Sequence, residues 1–507
     1  MQEDFIAQAG GGRCDGWPGF VGGRGACGGS RKLFVARRTR GVANGFRLRL
    51  LSLVLLVTAP QQLIATTRYA DQLSRECDDL IAVSLKRPYG WAWAKERGQV
   101  KSKPAVQTAD FDPPGTAGAA FVLYWSGDFL DRPAYREAAY NAARGIAAAQ
   151  QSTGQIPANP VFSPAVVGGH DPSQLVANRA ASRAALALYL SLLDDTGGKD
   201  ENLRRYAAAP LNWLLKQQGA GGAWPQSHPP TTAPKDAVRI IRLDTPDYRD
   251  SVFAMLLASE VLGDVRTRFS VERSIQLLLR MRIGGALRPG NFLWATAYTL
   301  DGYASPRLPD YPPGVDVLAS RNAMQILSAA YLMLDDPAPY DGEKNAWSKP
   351  LLDAAIGIGK LPKYEGKWLR RYDFDVRATP APPSTQPTGF ETTPPFIPPS
   401  QRTDVWGLST LTEDAQNLVD SGRERFGTAL AVNFTIHQRL AAALCGLDDD
   451  PFSVELPVRD EDVAGYLKDH VAKFSSLDEP PMSSLSERVR RIYLLLIRAK
   501  LERRLLK

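Results

Sequence analysis

The sequence predicts an all-α fold: an α/α toroid, complete or incomplete, of antiparallel helix pairs, with a Pro-rich loop and extra C-terminal helices. Three observations predict it. Apolar residues recur at helical spacing through segments of about 12–20 residues, and strand-like alternation is scarce. Gly, Pro and Asp punctuate these segments at regular intervals. The segments also come in pairs that repeat with a period of roughly 60 residues, the signature of stacked supersecondary units. A helical hairpin cannot bury its apolar face alone, so neighbours must pack in sequence and close around a central cleft.

The elements follow in order. Residues 1–45 are rich in Gly and Arg, without hydrophobic periodicity, and read as a disordered leader or as sequence upstream of the true start. Within 46–65, Arg47 and Arg49 precede the apolar run Leu50–Ala59. A basic segment before about 7–15 apolar residues has the form of an export signal. The run is shorter than the ~20 residues a membrane-spanning helix needs. The chain is therefore expected to be exported, periplasmic or secreted, with no membrane span after cleavage and as a monomer.

Residues 66–376 form the predicted toroid. Tyr69–Ser84 is a first helix. The pairs are Gly118–Trp125 with Arg136–Ala149, Asn178–Leu193 with Asn202–Gln217, Tyr248–Leu262 with Ser270–Met281, and Asn322–Leu334 with Ala346–Ile358. The first helix of each of the first three pairs ends in a polar turn, such as Ser126-Gly127-Asp128 or Gly263-Asp264. Second helices end near Gln and Gly, as at Gln150-Gln151 before Gly154 and at Gln217-Gln218-Gly219. Residues 377–403 are Pro/Thr-rich and read as a linker. Residues 404–507 turn helical again. The last stretch, Ser484–Lys507, is basic and amphipathic, either docking on the domain or meeting another surface.

Bulk composition narrows the function. The chain is 44% hydrophobic and 23% charged, with a net charge of +7 and a pI near 9.1. No concentrated basic stripe with interleaved aromatics is present outside the two ends, which argues against a nucleic-acid partner. An acidic polysaccharide suits the sign of the charge. Of the four cysteines, Cys14 and Cys27 lie in the leader, and Cys77 and Cys445 are either free or paired. No HExxH, Walker-type phosphate loop or CxxC occurs.

Three places carry candidate chemistry. The loop Gly221-Gly222-Ala223-Trp224-Pro225-Gln226, followed by His228, closes a predicted helix. Trp224 would either stack on a sugar or plug the hairpin. His228 would serve as a proton donor or sugar contact, or pack the loop. Asp244, Asp247 and Asp250 suit a hard cation such as calcium, or else cap the following helix. Arg370 and Arg371 are either a solvated pair or site residues, with Arg371 as a carboxylate clamp, because guanidinium forks bind carboxylates in bidentate fashion.

These motifs, taken in order over roughly 110–376, resemble the pectate lyases of polysaccharide lyase family ten. The family carries a Gly-Gly-Trp-Pro-Gln element after a helix ending like Trp213-Leu214-Leu215-Lys216-Gln217. It also has a Leu-Met-containing turn like Leu332–Pro337 and a Trp-Ala-Arg-Phe-Tyr segment like Trp368–Tyr372. The resemblance implies calcium-assisted β-elimination on polygalacturonate, with Arg370 as base and Arg371, Trp224, Gln226 and His228 against the substrate. Asp244, Asp247 and Asp250 would hold the metal, although Val252 and Phe253 stand where the family has Asp-Asn. Two other readings stay open: a non-catalytic toroid that binds glycan or protein, and a toroid glycoside hydrolase with two facing carboxylates.

Overall fold

The computed structural model describes residues 68–94, 107–162, 179–228, 238–283, 293–302, 314–334, 347–361, 434–452 and 484–505, with short pieces at 363–364, 367–368, 371–373, 412 and 415. The leader, the export signal and the Pro/Thr-rich linker lie outside the described residues. The chain from Ala65 to Lys507 forms one compact unit.

Its helices are α1 (Arg68–Ala82), α2 (Thr116–Phe129), α3 (Pro133–Ala148), α4 (Arg179–Asp195), α5 (Glu201–Gln217), α6 (Pro246–Leu262), α7 (Val265–Arg280), α8 (Val317–Met333), α9 (Ser348–Lys360), α10 (Ile436–Leu444) and α11 (Leu485–Leu505). The residues that read as punctuation in the sequence act as caps. Asp200 accepts from the amides of Asn202 and Leu203, Asp264 from Arg266, and Asp316 from Ala319. Pro133 opens α3, and Gly263 ends α6 in the left-handed region at φ 65°. Thr435 and Gln438 form a reciprocal capping box on α10.

Burial sorts the helices into two layers. In α2 every residue from Thr116 to Gly127 is buried, and α4, α6 and α8 are nearly as enclosed. In α5 burial is confined to a stripe of Leu203, Ala207, Pro210, Leu211, Trp213 and Leu214. Helices apolar all round belong inside, and those with one apolar stripe belong outside. Accordingly α2, α4, α6 and α8 pack side by side in chain order, and α3, α5, α7 and α9 each back their own partner. This is the α/α toroid.

The two ends of the unit complete it. Helix α11 packs on α1 and α2. Arg488 bridges Glu76 at 3.7 Å and Asp79 at 3.4 Å, and Arg491 reaches Glu76 at 3.5 Å. The amide of Tyr69 donates to Glu502 Oε2 at 3.4 Å. Helix α10 sits on the inner side of the ring. Its flanks touch the inner helices and α11, with Phe434 against Phe121 of α2 and Tyr493 of α11, Cys445 against Ala184 of α4, Phe452 against Phe253 of α6, and Asp449 against Gln325 of α8. The C-terminal helices are thus part of the ring. Cys77 and Cys445 are separate, buried, free thiols, so the possible disulfide is absent; burial pushes the Cys77 thiol up to about 12.

The strands among the described residues are short: β1 (Leu85–Arg87), β2 (Gly90–Ala92), β3 (Gln226–His228), β4 (Val238–Arg242), β5 (Ala297–Tyr298), β6 (Gly314–Asp316), β7 (Lys363–Tyr364), β8 (Lys367–Trp368) and β9 (Arg371–Asp373). They pair antiparallel as β1-β2, β3-β4-β5, β6-β9 and β7-β8. None forms a layer of its own, and all decorate the loops.

The loops carry a repeated joint. Gln150 Nε2 donates to the Gly154 carbonyl at 3.2 Å, and Gln218 Nε2 to the Gly222 carbonyl at 3.4 Å. Both glycines have positive φ, 94° and 92°, and lie against the backbone of the next outer helix, at Ala209 and Arg273 respectively. Buried tryptophans fasten the loops in the same manner: Trp93 donates to the Leu80 carbonyl at 2.7 Å, Trp294 to the Leu278 carbonyl at 2.8 Å, and Trp224 to Ser274 Oγ at 3.0 Å.

Candidate functional site

The two rims of the ring differ. Within the first three hairpins the turn is short, as at Gly263-Asp264 between α6 and α7. Between hairpins the connections are long: 83–115, 149–178, 218–245 and 281–316. The long connections meet the N-termini of α2, α4, α6 and α8, which therefore open on one rim. There the unsatisfied amides of parallel helices favour negative charge.

This rim holds two polar clusters where α4, α6 and α8 converge. In the first, Arg179 and Arg183 of α4 both grip Asp247 of α6. Arg179 pairs with one carboxylate oxygen, and Arg183 reaches the other at 2.5 Å and Ser251 Oγ at 3.0 Å. Ser251 donates in turn to the Asp247 carbonyl at 2.7 Å. Burial alone would raise the Asp247 pKa. The charges of Arg183 and Arg179, with hydrogen bonds from Arg183 and Gln226, outweigh burial and hold the carboxyl at about 2. Burial works against the Arg179 charge and Asp247 offsets part of that, while Arg183 and Arg239 add like charge from nearby. Guanidinium thus outnumbers carboxylate here.

The second cluster joins α6 and α8 to the segment after α10. Arg249 binds Asp250 at 2.8 Å, Gln325 Oε1 at 2.9 Å and the Asp449 carbonyl at 3.2 Å. Arg321 donates to the same carbonyl at 3.2 Å and Gln325 Nε2 at 3.1 Å. Gln325 also donates to Asp450 Oδ1 at 3.1 Å. Asp449 is exposed, so solvent reaches the floor of this cluster.

The residues singled out from sequence fall as follows. Trp224 is 1% exposed and takes the plug role of its two alternatives, since no ligand can stack on it. Gln226 is half-buried beside Asp247 and donates to Thr245 Oγ1 at 3.4 Å. His228 pairs through its backbone with Val238 in β3-β4, at the same rim; its side chain lies outside the described residues. Arg371 stands opposite Asp316 in the β6-β9 pair, which carries it to the N-terminus of α8. Its side chain, and all of Arg370, lie outside the described residues.

The three candidate calcium carboxylates each have an arginine partner: Asp244 with Arg242 at 2.8 Å, Asp247 with Arg179 and Arg183, and Asp250 with Arg249 at 2.8 Å. Among the described residues no three His, Cys, Asp or Glu side chains gather as a metal site. A calcium ion would have to displace guanidiniums from every one of these carboxylates, so the set does not fit it.

Sequence reading missed the arginines of α4, α6 and α8 and the Asp448–Asp450 segment. A signal was present. Arg179 and Arg183 stand four apart at the start of a helix that runs on through Ala, Leu, Tyr and Ser to Leu193, and Arg249 precedes an apolar run. Charges on helices enclosed on all sides must face a polar partner.

No family model matches the chain, and no curated protein does. Similar solved structures include a family-76 α-1,6-mannanase from Salegentibacter sp., 11% identical, covering 85% of this chain and 99% of that one at a TM-score of 0.43. Another is a family-105 glycoside hydrolase from C. acetobutylicum, 10% identical, with 86% and 99% covered at 0.40. A third is a polysaccharide lyase, 11% identical, with 86% and 98% covered at 0.35. The resemblance to family-ten pectate lyases does not hold: no family model matches the chain, the similar structures are glycoside hydrolases and a polysaccharide lyase, and the Gly-Gly-Ala-Trp-Pro-Gln loop is a structural joint of the ring.

Proposed function

We propose that this chain is an exported α/α-toroid protein that acts on an acidic polysaccharide, gripping it at the rim where α4, α6 and α8 begin. One observation carries the reading: Arg179 and Arg183, with Arg239 nearby, surround a single carboxylate, Asp247, whose pKa they hold low. The surplus guanidinium charge, added to the helix N-termini, suits the carboxylates of a uronate polymer.

A second reading, a toroid that binds without cleaving, is favoured by the pairing of Asp247 with Arg179 and Arg183. A carboxylate held ionised by arginine cannot deliver a proton near neutral pH. Both readings are tested by titrating the full chain with oligogalacturonate, alginate, mannan and xylan in a calorimeter. The acidic polymers should bind, more weakly at high salt, and Arg179→Ala should weaken them about tenfold, in line with the loss of a charged hydrogen bond. Product analysis then separates unsaturated uronates, new reducing ends, or neither. Equal binding of neutral and acidic glycans would overturn the proposal.

A further inference from the structure

The second cluster supplies more donors than its acceptor can use. The Asp449 carbonyl receives Arg249, Arg321 and Gln325, at 3.2, 3.2 and 3.1 Å, although a carbonyl has two lone pairs. Arg321 Nε is buried and makes no hydrogen bond. The nearest carboxylate to Arg321, that of Asp450, stands 3.9 Å away, beyond hydrogen-bond range. Among the described residues the Arg321 fork thus has only a distant carboxylate, that of Asp450, beside its Nη2. A guanidinium fork in such a setting matches an incoming planar carboxylate.

We propose that Arg249, Arg321 and Gln325 form a second carboxylate subsite for the glycan, screened in the free protein by Asp450. Arg321 sets the preference for uronates over neutral sugars. The inference rests on the acidic-glycan reading. Arg249 and Gln325 hold the floor, while the Arg321 and Asp450 side chains, 19% and 18% exposed, meet solvent. An arriving carboxylate takes the place of Asp450 beside Nη2 of Arg321 and displaces Asp450 toward water. No bond is made or broken.

The test compares trigalacturonate with its carboxyl-reduced counterpart on the full chain, by calorimetry. Wild type should prefer the acid. Arg321→Gln should lower affinity for the acid about tenfold and leave the reduced sugar unchanged. Asp450→Asn should raise affinity for the acid several-fold, a gain that a merely structural role for this pair does not produce. Should Arg321→Gln not fold, Arg321→Lys keeps the charge without the fork and should lose most of the preference. An unchanged acid-to-reduced ratio in a folded Arg321 variant, or no gain with Asp450→Asn, overturns the subsite alone. Equal binding of both sugars by wild type overturns the acidic-glycan reading and the subsite with it.

Discussion

Asp247 is held by two guanidiniums in a partly enclosed place, and this gives stability a definite pH dependence. Its pKa falls from 3.8 to about 2 on folding. A carboxyl depressed by folding contributes stability above its unfolded pKa and loses it as pH falls through the folded one. The contribution, on the order of 2 kcal/mol, should be in place above about pH 4 and gone near pH 2. Urea midpoints measured across that range should fall steeply for wild type. Asp247→Asn should flatten that slope, and at neutral pH it should cost ~3–5 kcal/mol by leaving Arg179 and Arg183 facing each other. If the slope is unchanged in the variant, Asp247 is not the titrating group. Asp244, Asp247 and Asp250 were legible in the sequence as a cluster of carboxylates at a helix start. The partners of Asp247 were not, since Arg179 and Asp247 lie 68 positions apart and only the packing of α4 on α6 brings them together.

At the scale of elements, the joint that repeats at Gly154 and Gly222 explains why Gln and Gly recur at the ends of outer helices. A Cβ on Gly222 would lie 2.4 Å from the Arg273 carbonyl oxygen, on a backbone already at φ 92°. Gly222→Ala should therefore cost about 2 kcal/mol or more. At the adjacent Gly221 an added methyl would meet nothing within 4 Å, and Gly221→Ala should be nearly neutral. Denaturant unfolding of the two variants side by side checks this, and equal losses would refute the joint. The hairpins themselves were readable to within a few residues: Asn202–Gln217 was expected where Glu201–Gln217 is found. Periodicity and turn residues are local signals, and a hairpin is a local structure. The second cluster escaped notice because Asp449, at its floor, lies 124 positions or more from Gln325 and Arg249, and only folding brings them together.

At the scale of the whole molecule, the first and last described helices are partners. Removing residues 484–507 should uncover the apolar faces of α1 and α2. The truncated chain should bind a hydrophobic dye and lose its single cooperative transition, while a cooperative, dye-silent product would show that α11 is dispensable. There is also a consequence in time. Tyr69 and Glu502 are separated by 433 positions, and synthesis at about 5–20 residues per second leaves α1 waiting tens of seconds for the helix that covers it. Throughout that interval the ring cannot shut, because its last stave has not been made. For a chain that must be threaded through a translocation pore, as the Leu50–Ala59 run proposes, late closure keeps the polypeptide pliable until its tail is free.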